Sequence, residues 1–125
     1  MGFSFTNIEQ IQQLMQNVTI DILGIVVDVG PVGNLKLKTG ESKDKRNLVI
    51  GDDTNYSIAV TLWGDTATKL DLKPGQLVAC KQCKVSEYSG RSLNGSSSLS
   101  DYVIGNVNHP RAIEVKRWHS KFSNH

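Results

Sequence analysis

The stretch RNLVIGDDTNYSIAVTLW, from Arg46 to Trp63, decides the fold. Its second half alternates large apolar residues with small or polar ones, and side chains two positions apart lie on the same face of a strand. Ile58, Val60 and Leu62 therefore share the predicted interior face, whereas Trp63 points the opposite way. The intervening DDTN segment is typical of a turn whose carboxylates bond to the local backbone. The stretch predicts two antiparallel strands joined by a turn, with a tryptophan on the outer face.

The elements on either side of this pair predict a barrel. Before it lie a buried strand, IDILGIVVDVG, and a basic, hairpin-like loop, NLKLKTGESKDKR. After it lie a short helix (Asp65–Leu72), a fourth strand, QLVACKQCKVSEY, and a fifth strand interrupted at Asn94–Ser98. Five strands with a helix between the third and fourth is the layout of the OB fold. We predict an all-β, five-stranded OB-fold barrel; a small SH3-like barrel is the competing architecture, but it does not need this helix.

The segments that flank the barrel also contain helical patterns. Asn7 to Gln16 places apolar residues on one face, and Asn7 with Gln10 has the spacing of a capping box. Pro110 can begin a helix in the basic C-terminal segment. The predicted division is a helical lead-in at residues 1–17, an OB domain at 18–108 and a basic tail or linker at 109–125.

Composition narrows the classes of function. The chain has 125 residues and a formal net charge of +2, and no apolar run is long enough for a membrane span, so we expect no membrane partner. Cys80 and Cys83 form a CxxC inside a predicted strand, not at the start of a helix as in redox enzymes. A structural zinc site needs four ligands. We predict two reduced thiols, no metal and no cofactor. Because no nucleophile–base pair or phosphate loop is present either, we predict no catalysis.

Strand alternation places polar and basic residues on the outer face with Trp63. Thr61 has the same parity as Trp63 on the third strand, and Lys45 and Asn47 have the matching parity on the second. Arg46 lies at the margin of this face.

The fourth predicted strand adds to the same face. Val85 points inward, which turns Lys84, Ser86 and Tyr88 outward. The apolar residues earlier in this strand have the opposite parity from Val85, which predicts a bulge near Gln82.

The basic loop increases the local positive charge beside this face. Lys36 to Arg46 contains five basic and two acidic residues, a local charge of +3, which exceeds that of the whole chain. The complete predicted nucleic-acid-binding set is Lys36, Lys38, Lys43, Lys45, Arg46, Asn47, Thr61, Trp63, Lys84, Ser86, Tyr88 and Arg91.

A shallow face with rings between cations suits a single strand of nucleic acid. Bases stack on aromatic rings, while lysine and arginine follow the phosphates. In SEYSGRSL, Gly90 predicts a turn that brings Tyr88 and Arg91 together. We predict that Trp63 and Tyr88 stack bases. Two alternatives remain open: a barrel that binds a partner protein and little DNA, and an RNA-binding OB domain that contacts the 2′-hydroxyl.

The segments LGIVVDVGPV, KRNLVIGDD, VTLWGDTATKLD and KVSEYSGRSL, in this order, resemble one known family. They are similar to the second of the tandem single-stranded-DNA-binding OB domains in the large subunit of replication protein A. The resemblance runs from about Val18 to Ile104, and NHPRAIEVKRW resembles the segment that leaves that domain. The zinc-bearing OB domain of the family is a poor match, because four ligands are lacking.

The resemblance implies roles for individual residues. Trp63 and Tyr88 match the two stacking aromatics, although phenylalanine is usual at the second position. Lys45 and Arg46 match a basic pair before the second strand. At two further matching positions, Lys84 replaces the usual arginine and Arg91 is the loop arginine.

The resemblance also implies a setting and partners. The family implies a nuclear protein that acts in DNA replication or repair, with neighbouring OB domains in the same chain and other replication-protein-A-like subunits as partners. A telomerase-associated paralogue of the large subunit fits equally well, and it would prefer G-rich telomeric strands and bind telomerase subunits.

Overall fold

The computed structural model describes residues 3–87 and 90–123, which form seven strands and three α-helices. The elements are α1 (Ile8–Ile11), β1 (Thr19–Val29), β2 (Gly33–Lys36), β3 (Ser42–Gly51), β4 (Ser57–Trp63), α2 (Asp65–Lys69), β5 (Leu77–Ser86), β6 (Ser92–Asn94), a 3-10 turn (Leu99–Asp101), β7 (Tyr102–Ile104) and α3 (Pro110–Ser123).

Five of these strands close into a barrel. The order of hydrogen-bonded neighbours is β1, β3, β4, β6 and β5, and β5 pairs again with β1. β1 closes the ring because its first half pairs with β5 and its second half with β3, meeting both at Ile25. The β4–β6 pair is parallel and the other four pairs are antiparallel. The predicted OB-fold barrel, with a short helix between its third and fourth strands and an N-terminal helix, is confirmed.

The core is built from the inward residues that alternation predicts. Ile58, Val60 and Leu62 on β4 are buried, as are Leu48 and Ile50 on β3. Complete burial of a leucine or isoleucine side chain contributes about 1.5–3 kcal/mol relative to exposure. This hydrophobic term fixes the register, because a shift by one residue would place Trp63 inside and Leu62 outside.

Two irregularities bend the long strands. On β5, the register with β1 shifts between the partners of Ile20 and Ile22, and Gln82 has a φ of 60°, so the predicted bulge is confirmed. The bulge lets Cys80 and Cys83 both face the core, where they are free thiols. Their mutual hydrogen bond and burial raise the pKa of Cys80.

The second irregularity is a bulge in β1, in its pairing with β3. The bulge lies at Val27, between the paired residues Val26 and Asp28, whereas pairing through Gly24 is regular. Glycine is required at position 24 for a steric reason. A Cβ at this position would lie 2.8 Å from the carbonyl oxygen of Gly51, so glycine permits the close approach of β1 to β3.

We expect Gly24→Ala to lower the free energy of unfolding by about 1–3 kcal/mol, because the added methyl group must displace backbone atoms of β3. The control is Gly33→Ala, where the nearest atom is 3.9 Å from the new Cβ. That variant should stay within about 0.5 kcal/mol of the parent. Urea denaturation of both variants measures the difference, and equal stabilities would show that the close approach carries no cost.

The N-terminal helix is shorter than the periodicity predicts. Asn7 and Gln10 form the predicted capping box, but the helix ends at Ile11 and not at Gln16. Ile8 and Ile11 are both fully buried, whereas Met15 is largely exposed. The apolar face is therefore used for only one helical turn.

The C-terminal segment begins its helix at Pro110, as predicted, and the helix packs on β1. Ala112 and Val115 are buried in a second cluster on the outside of the barrel, with Leu23 and Ile25. At its start, the backbone N–H of Arg111 donates to His109 Nδ1. In the described part of the chain, no helix is long and apolar enough to cross a membrane.

Candidate nucleic-acid interface

The outer face of β3 and β4 carries the predicted site residues in register. Lys45 lies directly opposite Trp63, and Asn47 lies directly opposite Thr61. Directly opposed residues of an antiparallel pair project from the same face of the sheet. The structure thus brings these four predicted residues together.

Trp63 lies between β3 and β6 with its ring partly exposed. The ammonium groups of Lys43 and Lys45 lie 5.7 and 5.3 Å from the ring centroid, within the range of cation–π attraction. The indole Nε1 faces Asn94 Oδ1 at 3.5 Å. The ring is therefore held on a polar surface with two cations beside it.

A polar row crosses four strands next to Trp63. Thr61 Oγ1 donates to Asn47 Oδ1 at 2.9 Å. Asn94 on β6 is opposite both Thr61 on β4 and Lys84 on β5, so the row continues across the face. Asn47, Thr61 and Asn94 have short side chains, so the surface beside the Trp63 ring is shallow.

Sequence reasoning missed Asn94. It lies in a Ser-Gly-Asn-rich segment that resembles a loop, and its place on the face depends on the parallel pairing of β6 with β4. A usable signal was present, since Leu93 is the one apolar residue in RSLNG and its neighbours must face outward.

At the β5–β6 end of the face, Lys84 and Ser86 lie as the pattern predicts, whereas Arg91 has partners within the molecule. Lys84 is exposed and Ser86 lies opposite Ser92, as the alternation requires. Arg91 is engaged within the molecule: its guanidinium donates to the carbonyl of Leu14 and forms an ion pair with Glu87. Tyr88 lies outside the described residues, so its stacking role stays a prediction.

The basic loop forms a hairpin that extends the face. β2 pairs with the first residues of β3, and every residue from 31 to 43 is exposed. Lys36 ends β2 and Lys38 lies in the turn. Asn34 Nδ2 donates to Asp44 Oδ1 at 3.1 Å, which ties the two strands of the hairpin. Lys43 and Lys45 therefore lie beside the Trp63 ring, whereas Lys36, opposite Ser42, and Lys38 lie toward the tip of the hairpin.

Arg46 has the opposite parity from Lys45 on β3. It is opposite the inward-facing Leu62, and its Nε donates to the carbonyl of Gly30 at 2.9 Å. The structure therefore places Arg46 at the mouth of the barrel, beside the turn from β1 to β2.

Tyr102 and Arg111 have displaced pKa values. Burial raises the pKa of Tyr102, whose hydroxyl donates to the carbonyl of Ser96. Hydrogen bonds to Asp53 raise the pKa of Arg111. Within residues 3–87 and 90–123, no group of three or more metal-ligating side chains is found. The chemistry available at the face is stacking, hydrogen bonding and attraction of phosphate.

Comparison with known proteins identifies a family. The family model described as "Replication protein A OB domain" matches residues 8–104. The chain is 33% identical over 117 residues to Replication factor A protein 1 of Saccharomyces cerevisiae, covering 94% of this chain and 18% of that protein. The chain therefore spans less than a fifth of the length of this relative.

Solved structures show the same fold. A chain of a replication protein A heterotrimer bound to single-stranded DNA superposes with a TM-score of 0.83 at 25% identity, covering 100% of this chain and 30% of that one. Fission yeast Pot1 with single-stranded DNA gives a TM-score of 0.72 at 14% identity, covering 96% and 48%. The second likeness concerns the fold alone.

Proposed function

Because the chain belongs to the replication protein A OB-domain family, we propose that it binds single-stranded DNA across the outer face of β3, β4, β6 and β5. The observation that carries this proposal is Trp63, a partly exposed ring with two ammonium groups within 6 Å of its centroid, on a shallow polar surface. A duplex hides the faces of its bases, so this ring selects a single strand.

In the proposed mechanism, one base stacks on Trp63 and a second on Tyr88. Lys43, Lys45 and Lys84 follow the phosphates, and the β2–β3 hairpin closes over the strand. Asn47, Thr61 and Asn94 offer hydrogen bonds to base edges. Since each stacked base contributes about 1–3 kcal/mol, one module with two rings binds with modest affinity.

Tight binding requires neighbouring modules. The curated relative is more than five times as long as this chain, and the structural neighbour is part of a heterotrimer bound to single-stranded DNA. We propose that further OB domains in the same chain and other subunits bind adjacent stretches, which raises the avidity of the whole. The proposed setting is DNA replication or repair in the nucleus.

Fluorescence anisotropy tests this function. The purified protein is titrated against labelled single-stranded DNA, its duplex and the matching RNA. We expect the affinity to be highest for single-stranded DNA, lower for RNA and lowest for the duplex. Each affinity should fall as the salt concentration rises. Equal binding to duplex and single strand would contradict the stacking mechanism, and preference for RNA would support the RNA-binding alternative. Absence of binding to all three would favour the protein-interaction barrel.

The same experiment also tests whether the chain has the telomeric role of a telomerase-associated paralogue. A G-rich telomeric strand and a mixed-sequence strand of equal length are titrated side by side. The telomeric role predicts tighter binding of the G-rich strand, whereas a general replication factor binds both within a small factor.

Lys45→Ala should flatten the dependence of affinity on salt. Each lysine that neutralises a phosphate of a single strand contributes about 0.7 to the slope of log K against log salt concentration. We expect the slope to fall by that amount, measured by anisotropy over a series of salt concentrations. Lys69→Ala on α2 is the matched control, because Lys69 is paired with Asp65 and lies off this face. An unchanged slope in Lys45→Ala would mean that Lys45 touches no phosphate.

A further inference from the structure

A cavity opens at the mouth of the barrel beside the proposed DNA face. It has a volume of about 310 Å³ and lies between the β1–β2 turn and β3. Its walls are mostly carbon, which suits the face of a flat ring. Sites for small ligands have volumes of about 300–1,000 Å³, so this cavity is at the lower end of that range. The residues that line the cavity include Gly30, Leu35, Lys45, Arg46 and Asn47.

The cavity is continuous with the stacking surface. Lys45 lines the cavity, and its ammonium group lies 5.3 Å from the centroid of the Trp63 ring. When one base of a strand stacks on Trp63, the neighbouring nucleotide on the Lys45 side therefore lies at the cavity. This step rests on the proposed function.

Arg46 is a polar residue of the cavity that is held in a fixed position. Its Nε donates to the carbonyl of Gly30 at 2.9 Å. Gly30 lies close enough for this bond because it has no side chain: a Cβ there would be 3.1 Å from the carbonyl oxygen of Asn47. Among the described residues, neither terminal guanidinium nitrogen has a hydrogen bond or ion pair. Arg46 thus has two donors held side by side at the cavity wall.

Two parallel donors require two adjacent acceptors on the base that they bind. Guanine presents two adjacent acceptors, O6 and N7, which an arginine fork binds in a bidentate manner. Adenine has a donor, its amino group, in place of O6, so guanine is the one purine with such a pair. Cytosine also has two adjacent acceptors, N3 and O2, but only guanine offers a pair that includes N7, and 7-deazaguanine tests that atom. The guanidinium also keeps its charge under all ordinary conditions, whereas lysine would act as a point charge without the fork.

From these observations we propose that the cavity holds one guanine base, next to the base stacked on Trp63, and that Arg46 reads its O6 and N7. Arg46 is then the residue that determines sequence preference, whereas the lysines of the face set affinity for any single strand.

The test walks one guanine through every position of a short oligothymidylate. Guanine at one position should make the strand bind about tenfold tighter than oligothymidylate itself, because a bidentate pair discriminates against bases that lack the two acceptors. 7-Deazaguanine at that position, which lacks the N7 acceptor, should lose most of the gain. Arg46→Lys should abolish the preference, measured in that variant as the ratio of its affinities for the guanine-containing strand and for plain oligothymidylate. Arg117→Lys on α3 is the matched control and should retain the preference.

The outcomes separate this inference from the proposed function. If plain oligothymidylate binds normally but no position prefers guanine, the guanine site is wrong and the DNA face stands. The guanine site is also wrong if the preference for guanine survives in Arg46→Lys or with 7-deazaguanine. If oligothymidylate does not bind at all, both proposals fail.

Discussion

Trp63→Ala is expected to weaken binding of single-stranded DNA by about 1–3 kcal/mol, or roughly 5- to 150-fold in Kd. The ring is the one described aromatic on the proposed face, and it lies directly opposite Lys45. Its removal takes away the stacking platform and the surface over which two lysines are ordered. Anisotropy with labelled single-stranded DNA measures the loss.

The fold should survive this change, because Trp63 is only partly buried and its outward neighbours are polar. Trp63→Phe is the matched control, since it keeps an aromatic face but loses the Nε1 contact with Asn94. It should retain most of the affinity. An unchanged Kd in Trp63→Ala, with a native thermal transition, would refute the stacking role.

Asp52→Ala is expected to cost about 3 kcal/mol of unfolding free energy, the lower end of the range for breaking a buried ion pair. The carboxylate is fully buried and accepts from the backbone N–H of Ile8 at 2.8 Å and of Thr54 at 3.0 Å. It also lies 3.3 Å from Arg111 Nη2. It therefore joins α1, the β3–β4 turn and α3. The cost stays near the lower end because Arg111 keeps its second carboxylate, Asp53.

Asp53→Ala is the matched control for this prediction. Asp53 also pairs with Arg111, with one contact at 2.8 Å, but its side chain is 25% exposed. Pairs closer to solvent contribute about 0.2–1 kcal/mol, so the loss should be smaller than in Asp52→Ala. Urea denaturation measures both. Equal losses of unfolding free energy would mean that the burial of Asp52 adds nothing to its contribution to stability. Under conditions where both variants are folded, their affinity for DNA should equal that of the parent.

Alternation made the central part of the face predictable. In β3 and β4 the inward residues are large and apolar, so the outward parity of Lys45, Asn47, Thr61 and Trp63 follows from the sequence. The change of parity in β5 revealed the bulge near Gln82 for the same reason.

The parts that depend on contacts distant in sequence could not be predicted in this way. Arg91 reaches the carbonyl of Leu14, 77 residues away, and nothing local indicates that partner. The bulge at Val27 falls within a run of apolar residues, where alternation carries no signal. The cavity beside Arg46 exists only because the β1–β2 turn approaches β3.

The resemblance to the replication protein A family was confirmed by comparison, but it assigns roles by position only. It placed Lys45 and Arg46 together as a basic pair. Both line the cavity, but the ammonium group of Lys45 lies beside the Trp63 ring, whereas Nε of Arg46 donates to the carbonyl of Gly30. Adjacent residues of a strand point to opposite faces, so a shared motif does not imply a shared contact.

The most direct test of the account is an NMR titration of the labelled protein with a short single strand of DNA. We predict that backbone and side-chain signals shift for Lys43, Lys45, Asn47, Thr61, Trp63, Lys84 and Asn94, and that signals of α3 and β7 stay in place. Shifts confined to α3 and β7, or spread evenly over the surface, would contradict the claim that the outer face of β3, β4, β6 and β5 binds the strand.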